Sequence, residues 1–360
     1  MKIAHVITTL ESGGAENQLL QLVTQQSIKK WTIEVYPLKG NLDLQEEMLR
    51  LGVKINKRLY KKNLFSQVLL IKFMSYKSYD IVHCHLPLAE LLISLSRAKR
   101  VIVSRHYGGA FYPGSTLILS KCLSRFATRK VKTVVACSKF VKKHLENSGE
   151  IRKSVTIKVV YYGFVPNYTY KKQPRSITFT EPNKLILGTL ARLSPEKDIK
   201  TLISAISLLP QDVKQRTRVN IFGDGNQKDE LLVLINKLNL FSIVRLCGKT
   251  SSPIQAIDSM DVFILTSKFE GFGMVLLESM SLGKPIICSR IETAQEVLGK
   301  SGCAIYFEPG NSVDLAEKIM NYGKLLNKNY VNLQAKRLKI FTPQIMSQKI
   351  ADAYQEMLRR

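Results

Sequence analysis

No apolar run in this sequence reaches the ~18–20 residues that a bilayer-spanning helix needs. The longest candidate, Leu86–Leu95, is broken by Pro87 and Glu90 and ends at Ser96-Arg97. Nothing in it resembles a secretory leader either: Lys2 is followed by IAHVITTL and then by polar residues and glycines, with no cleavage-like stretch. That segment reads as a first strand, and a cytoplasmic protein is expected. The six cysteines, at 84, 122, 137, 247, 288 and 303, contain no Cys-x-x-Cys pair. A zinc knuckle or redox motif is therefore set aside, and the cysteines read as reduced, mostly buried residues. Negative charge is scarce: 28 Asp+Glu face 54 Lys+Arg, for a net charge of +26. Over residues 50–158 the balance is 4 acidic against 23 basic. A face of that density attracts polyanions. The anionic inner surface of the cytoplasmic membrane is the expected one. Nucleic acid is not expected, because no recognised binding motif is present. The nicotinamide fingerprint G-x-G-x-x-G is also missing, since Gly223-Asp224-Gly225 lacks the third glycine at that spacing. Short repeats and low-complexity segments do not occur.

What is present alternates. IAHVITT, WTIEVYPL, YDIVHCHL, RVIVSRH and KTVVACS are short β-branched runs, each leading into a longer polar or amphipathic stretch. This is the βαβ pattern of a parallel sheet covered by helices. It breaks around 165–183, where VPNYTYKKQPRSITFTEPN holds three prolines and little periodicity, and then resumes with KLILGTLAR, RVNIFGD, IVRLCG, DVFILTS and KPIICS. The expectation is an α/β chain of two Rossmann-like domains. Residues 1–168 form the first and 184–342 the second, with a linker over 169–183. An amphipathic helix over 343–360 is free to pack back on the first domain. Doubly wound sheets place ligands at the carboxyl ends of their strands, so the chemistry is sought there.

The most informative segment is DVFILTSKFEGFGMVLLESMSLGKPIICS, residues 261–289. A strand ends near Thr266-Ser267, and a loop follows with Glu270, Gly271, Phe272 and Gly273. A helix begins near Met274-Val275, carries Glu278, and stops at Gly283 ahead of Pro285. Backbone amides at such a helix start, aided by the helix dipole, make an anion site. Glu270 and Glu278 flank it, and carboxylates accept strong hydrogen bonds from sugar hydroxyls. Arg192 and Lys197 follow another buried strand, where a guanidinium and an ammonium suit a diphosphate. His106 ends the strand RVIVS. His83 and His85 flank Cys84 and share one face of a strand, as a metal pair could, but a metal is not expected.

The element Glu270 to Glu278, E-G-F-G-M-V-L-L-E, resembles the E-x7-E element of the retaining glycosyltransferases of the GT-B fold, family GT4 (glycosyl transferases group 1). LGTLARLSPEKDIKTLISAI at 187–206, VNIFGDGNQKDELLVLINKLNL at 219–240, HVITTLESGGAENQLLQL near the start and VACSKFVKKHL at 135–145 are similar to further segments of that family. The match is strong over 185–310 and looser over 1–170. The resemblance implies two Rossmann-like domains facing a cleft, the first for an acceptor and the second for a nucleotide-diphosphate sugar such as a UDP-sugar. It implies that Arg192 and Lys197 grip the diphosphate with the amides from Gly271 to Val275, and that Glu278 holds the ribose. Glu270 would hold the transferred sugar, Gly13 and Gly14 would let the first loop approach the donor, and His106 would act beside the acceptor hydroxyl. No cofactor and no metal are implied. The acceptor would be a glycan or lipid-linked precursor of polysaccharide, capsule or lipopolysaccharide type. Two departures stand out: Tyr162-Gly163-Phe164-Val165 where the family often has N-G-V-D, and Glu292-Thr293 where glycines often precede Glu296. The rival readings are a GT-B nucleotide-sugar epimerase and a basic nucleic-acid- or membrane-binding protein without catalysis.

Overall fold

A computed structural model describes residues 1–11, 13–63, 65–68, 71, 79–112, 116–166, 184–299 and 302–359. The whole of the expected linker, 169–183, lies outside the described residues. The chain divides into two units, Met1–Val165 with Phe341–Arg360, and Pro166–Ile340.

The first unit is built on a seven-stranded sheet of order β3-β2-β1-β4-β5-β6-β7. Its strands are β1 Lys2–Ile7, β2 Thr32–Pro37, β3 Lys54–Ile55, β4 Ile81–His85, β5 Val101–Arg105, β6 Thr133–Ala136 and β7 Thr156–Val159. All pairings are parallel. β1, β4, β5 and β6 are almost wholly buried, as near-continuous apolar strands covered on both faces should be. The intervening helices are α1 Gly14–Ile28, α2 Gln45–Arg50, α3 Pro87–Ser94, α4 Leu117–Ala127 and α5 Lys139–Ser148. Thr116 and Ser138 cap α4 and α5 by accepting from the amides of Leu119 and Val141.

The second unit carries a six-stranded sheet of order β10-β9-β8-β11-β12-β13. The strands are β8 Leu185–Leu190, β9 Thr217–Phe222, β10 Val244–Gly248, β11 Val262–Leu265, β12 Ile286–Ser289 and β13 Ile305–Phe307, again all parallel. Its helices are α6 Ile199–Ser207, α7 Gln211–Gln215, α8 Lys228–Lys237, α9 Pro253–Asp258, α10 Met274–Ser281, α11 Glu292–Leu298, α12 Ser312–Leu325 and α13 Tyr330–Leu338. Its core joins Leu187, Val219, Ile221, Val262, Ile264, Ile287 and Phe307 to Ile203 and Ile206 of α6 and to Leu315 and Ile319 of α12.

The last helix, α14 Pro343–Arg359, belongs to the first unit. Met346, Ile350, Ala353, Tyr354 and Met357 form a stripe at helical spacing. They pack with Ile3, Leu22, Ile81, Ile102, Val135 and Val160. The chain thus comes back to complete a core begun by its first strand, as the amphipathic pattern over 343–360 allowed.

In both sheets the strand order reverses once, between β1 and β4 and between β8 and β11. Loops that leave neighbouring strands toward opposite sides open a crevice at such a point.

Candidate functional site

The reversal in the second unit sets the geometry of its site. The segment after β8 carries Arg192 and then a 3-10 turn, Pro195–Lys197. The segment after β11 runs through Thr266 and Ser267 to Glu270. These two segments are tied together: the Thr266 hydroxyl donates to the Lys197 carbonyl at 2.8 Å, and the Lys268 amide donates to the Glu196 carbonyl at 2.8 Å. Lys197 Nζ consequently lies 2.6 Å from Glu270 Oε1, with the two side chains 19% and 10% exposed. That much shielding makes the pair far stronger than a surface contact. Ser267 Oγ donates to the same Glu270 oxygen at 2.7 Å, and Thr293 Oγ1 donates to the Glu270 carbonyl at 2.8 Å. Thr293, which departs from the family's glycines, therefore braces the Glu270 loop. An ammonium has three donors, so Lys197 can hold Glu270 and still offer protons to an anion.

Arg192 is held more loosely. Its NH2 lies 2.9 Å from Glu196 Oε1 and its side chain is 68% exposed, with Ser194 Oγ donating to the same carboxylate at 2.7 Å. The loop after β9 fixes the backbone beneath it. Gly223 has φ +132°, and a Cβ there would fall 1.8 Å from the Ala191 carbonyl oxygen. Only glycine admits that approach, which gives Gly223-Asp224-Gly225 a structural meaning beside its weak motif value.

Between Glu270 and α10 the chain turns through Gly271, Phe272 and Gly273. Phe272 is buried, and Gly273 has φ +83° as the residue that starts α10. Left-handed backbone at a helix start suits glycine. Met274 and Val275 form the first turn, partly exposed, and Glu278 follows on the same helix. Glu278 is half-buried, and its carboxylate has no partner among the described residues. Burial pushes its pKa up to about 7. An unpaired carboxylate of raised pKa one turn from a helix N-terminus is a ligand-seeking group.

The remaining sequence candidates, Gly13, Gly14 and His106, belong to the first unit. Gly13 precedes α1 in extended backbone, and a Cβ there would meet Glu16 Oε2 at 2.4 Å, whereas Gly14 faces open space. Glu16, unremarked in the sequence, is a buried carboxylate in the first turn of α1 that accepts from the Thr9 hydroxyl, with its pKa raised by burial. Its signal was an acid in a helix's first turn. His106 follows β5 as expected. Its Nδ1 lies 2.6 Å from the Tyr162 hydroxyl, so the tyrosine that replaces the family's asparagine contacts it directly. Burial and the neighbouring charge of Arg105 lower its pKa to about 4.

Two clusters escaped the sequence reading. Arg105 is buried between Glu90, 2.7 Å from its NH2, and Glu150, 3.7 Å from its NH1, with Phe111 under its guanidinium. Burial raises the Glu90 pKa to about 7 despite Arg105. His83 and His85, which lacked a partner nearby in sequence, find His5 on the neighbouring strand β1, with ligand atoms of all three within 4.8 Å of one another. The register of β1 with β4 is the only signal of that meeting, and it is not local.

Comparison with known proteins adds the following. The family model described as glycosyl transferases group 1 matches residues 171–335, and that described as glycosyltransferase family 4 matches 12–167. A Campylobacter jejuni N-acetylgalactosamine-N,N'-diacetylbacillosaminyl-diphospho-undecaprenol 4-alpha-N-acetylgalactosaminyltransferase is 34% identical over 44% of this chain and 43% of its own. An Escherichia coli O-antigen biosynthesis glycosyltransferase, WclY, is 28% identical over 48% and 46%. The first curated relatives are thus matched over less than half their length. Anabaena Alr3699/HepE in complex with UDP and glucose superimposes with a TM-score of 0.81 at 22% identity, over 99% of this chain and 100% of that one. At that identity it shows the fold, GT-B, and nothing finer.

The raised pKa of Glu278 makes stability depend on pH. The folded chain keeps a proton that the unfolded chain releases above the ordinary value of 4.5. Stability should therefore fall between pH 4.5 and about 7, by about 2 kcal/mol after allowance for partial exposure. In Glu278→Gln that fall should be missing, so the variant should unfold at higher urea than the parent at pH 8 and lose the advantage near pH 4.5. Urea curves with parallel pH profiles for the two proteins would remove the claim.

Proposed function

We propose glycosyl transfer from a nucleotide-diphosphate sugar as the reaction of this chain, which belongs to the glycosyl transferases group 1 and family 4 glycosyltransferases. One observation carries the reading: Lys197 and Glu270 meet at 2.6 Å where the strand order reverses, beside a helix start and an unpaired Glu278. The donor lies along that line. Lys197, Arg192 and the backbone from Gly271 through Phe272 and Gly273 to Met274 and Val275 take the diphosphate. Glu278 takes the ribose hydroxyls and Glu270 those of the transferred sugar. Gly13 and Gly14 are assigned to the donor as well, and Gly14 faces open space. UDP is the favoured nucleotide, in line with the UDP bound to Anabaena HepE. These residues supply the positive charge that the leaving diphosphate needs, so no metal is required.

The reaction retains the anomeric configuration. The bond from the sugar C1 to the diphosphate oxygen breaks, and its electron pair goes to the phosphate. The acceptor oxygen bonds C1 from the same face, and its proton passes to a diphosphate oxygen. Lys197, Arg192 and the dipole of α10 stabilise the departing charge. Glu270 is occupied by sugar hydroxyls and by Lys197 and Ser267, which argues against its acting as a nucleophile. His106, kept neutral by burial, is assigned to the acceptor side as a fixed ring surface, since Tyr162 takes its Nδ1 and its Nε2 is buried. The acceptor is a lipid-linked or polysaccharide precursor, a reading supported by the undecaprenol diphosphate and O-antigen in the relatives' names.

The membrane is where a lipid-linked acceptor would be met. Among the described residues no helix is long and apolar enough to cross one. Helix α4 instead shows a surface face with Leu117 81% and Ile118 78% exposed, next to Lys121 and Arg125 and without an acidic residue. Such a face lies in an anionic interface by apolar burial and by about 1 kcal/mol per basic residue.

Two outcomes are expected. Among a panel of nucleotide sugars, at least one at 100-fold its Kd should stabilise the protein by about 2.7 kcal/mol and be transferred with retention. Lys197→Ala and Glu270→Ala should lose both effects, with transfer reduced at least ~100-fold. No melting shift and no transfer with any nucleotide sugar would end the reading. In sedimentation with vesicles, phosphatidylglycerol should capture the protein and neutral phosphatidylcholine should not. Salt should weaken capture, and Leu117→Ser with Ile118→Ser should cut it several-fold. Equal capture by neutral vesicles, or indifference to these changes, would refute membrane docking through α4.

A further inference from the structure

Four imidazoles lie in a row inside the first unit. His83 and His85 have ring centroids 4.2 Å apart, His5 is 5.3 Å from each, and His85 is 5.7 Å from His106 at an interplanar angle of 25°. The hydrogen bonds of the first three run in one direction. Gln26 Nε2 donates to the Tyr354 hydroxyl at 3.4 Å, which leaves Gln26 Oε1 to accept from His5 Nε2 at 2.8 Å. His5 Nδ1 must then accept, so His85 Nε2, 3.1 Å away, carries a proton and donates. On the other branch the Tyr354 hydroxyl donates to His83 Nδ1 at 2.7 Å, and His83 Nε2 donates to Ser104 Oγ at 2.8 Å.

Five of the six ring nitrogens of His5, His83 and His85 are thereby used, so their closeness needs no metal ion to explain it. The sixth, His85 Nδ1, is a buried lone pair with no protein partner among the described residues, and His106 Nε2 is a second buried nitrogen without one. Both residues line one cavity of about 30 Å³, with Ser104, Tyr162, Leu22 and Ile350. Buried polar atoms are almost always satisfied, and this largely apolar cavity has room for a water where the two nitrogens meet it. Burial keeps His5, His85 and His106 neutral, with pKa values pushed below the usual histidine range. At 2.6 Å from His106 Nδ1 the Tyr162 hydroxyl is placed to give its proton to the imidazole lone pair.

We propose that Tyr162 is a positioning residue that fixes His106 as its Nε2–H tautomer, and that the cavity binds a water which accepts from His106 Nε2 and donates to His85 Nδ1. The hydrogen bonds then run unbroken from Tyr162 through His106, the water, His85, His5 and Gln26 to Tyr354, His83 and Ser104. All four histidines of this row are the same tautomer. A strand-end imidazole is thus held against rotation and tautomer exchange by the helix that closes the core, α14. Its functional meaning rests on the placement of His106 beside the acceptor. The tautomer itself is read without substrate, so failure of the transfer reaction and failure of this inference are separate results.

The test is nitrogen-15 NMR of the full chain with labelled histidine, with and without zinc chloride. His5, His83, His85 and His106, assigned by single His→Asn variants, should each show a protonated Nε2 and a hydrogen-bonded, unprotonated Nδ1, unchanged by equimolar zinc. Tyr162→Phe should shift the His106 tautomer ratio about five-fold toward Nδ1–H while leaving His5 and His83 as they were. A parent spectrum with Nδ1–H at any of the four would overturn the proposal, as would zinc-dependent displacement of the His5, His83 and His85 signals. That parent spectrum decides the matter even if Tyr162→Phe does not fold. An unchanged His106 in a folded Tyr162→Phe would also overturn it.

Discussion

The contact between Lys197 and Glu270 governs the second unit's site, and the reversal of strand order between β8 and β11 is what creates it. Two segments separated by more than seventy residues leave neighbouring parallel strands and close on each other through Thr266 and Lys268 before the ion pair forms. The pair is shielded enough to hold both side chains in one place, and an ammonium so fixed keeps spare donors for a second anion. Around it, Gly273 admits the left-handed turn that starts α10 and Gly223 admits the backbone under Arg192. The charged groups are thus preorganised by main-chain geometry, which lets a site stabilise developing charge without rearranging.

The first unit repeats the reversal between β1 and β4 but fills it differently. In place of a charge pair it buries three imidazoles with His106 at their edge, and Tyr354 and Gln26 bring two helices into the same hydrogen-bond chain. The return of α14 explains why such polar groups are tolerated there. Each ring nitrogen would cost free energy if buried alone, and the helix that completes the apolar core also supplies hydrogen-bond partners. The Arg105, Glu90 and Glu150 cluster next to His106 follows the same rule, with one guanidinium shared by two carboxylates.

Much of the fold was legible in the residues. β-branched runs alternating with amphipathic ones announce parallel sheets, and the stripe from Met346 to Met357 announces a helix with one apolar face. Glu270, Glu278, Arg192, Lys197 and His106 were singled out from segment patterns and family resemblance, since each pattern is local. What stayed hidden depends on register and topology. Nothing near Glu270 says that Lys197 is its partner, and nothing near His83 says that His5 stands opposite it. The contact of Tyr162 with His106 was visible only as a departure from the family's asparagine. Glu90 looked like an interruption in an apolar run until the fold placed Arg105 against it.

The most direct measurement is a crystal structure of the chain with uridine diphosphate bound. The account places the β-phosphate within hydrogen-bonding distance, about 3 Å, of Lys197 Nζ and of main-chain amides at the Gly273–Val275 turn, with ribose hydroxyls on Glu278. A nucleotide bound elsewhere, or bound here with Glu278 turned away and Lys197 untouched, would contradict it.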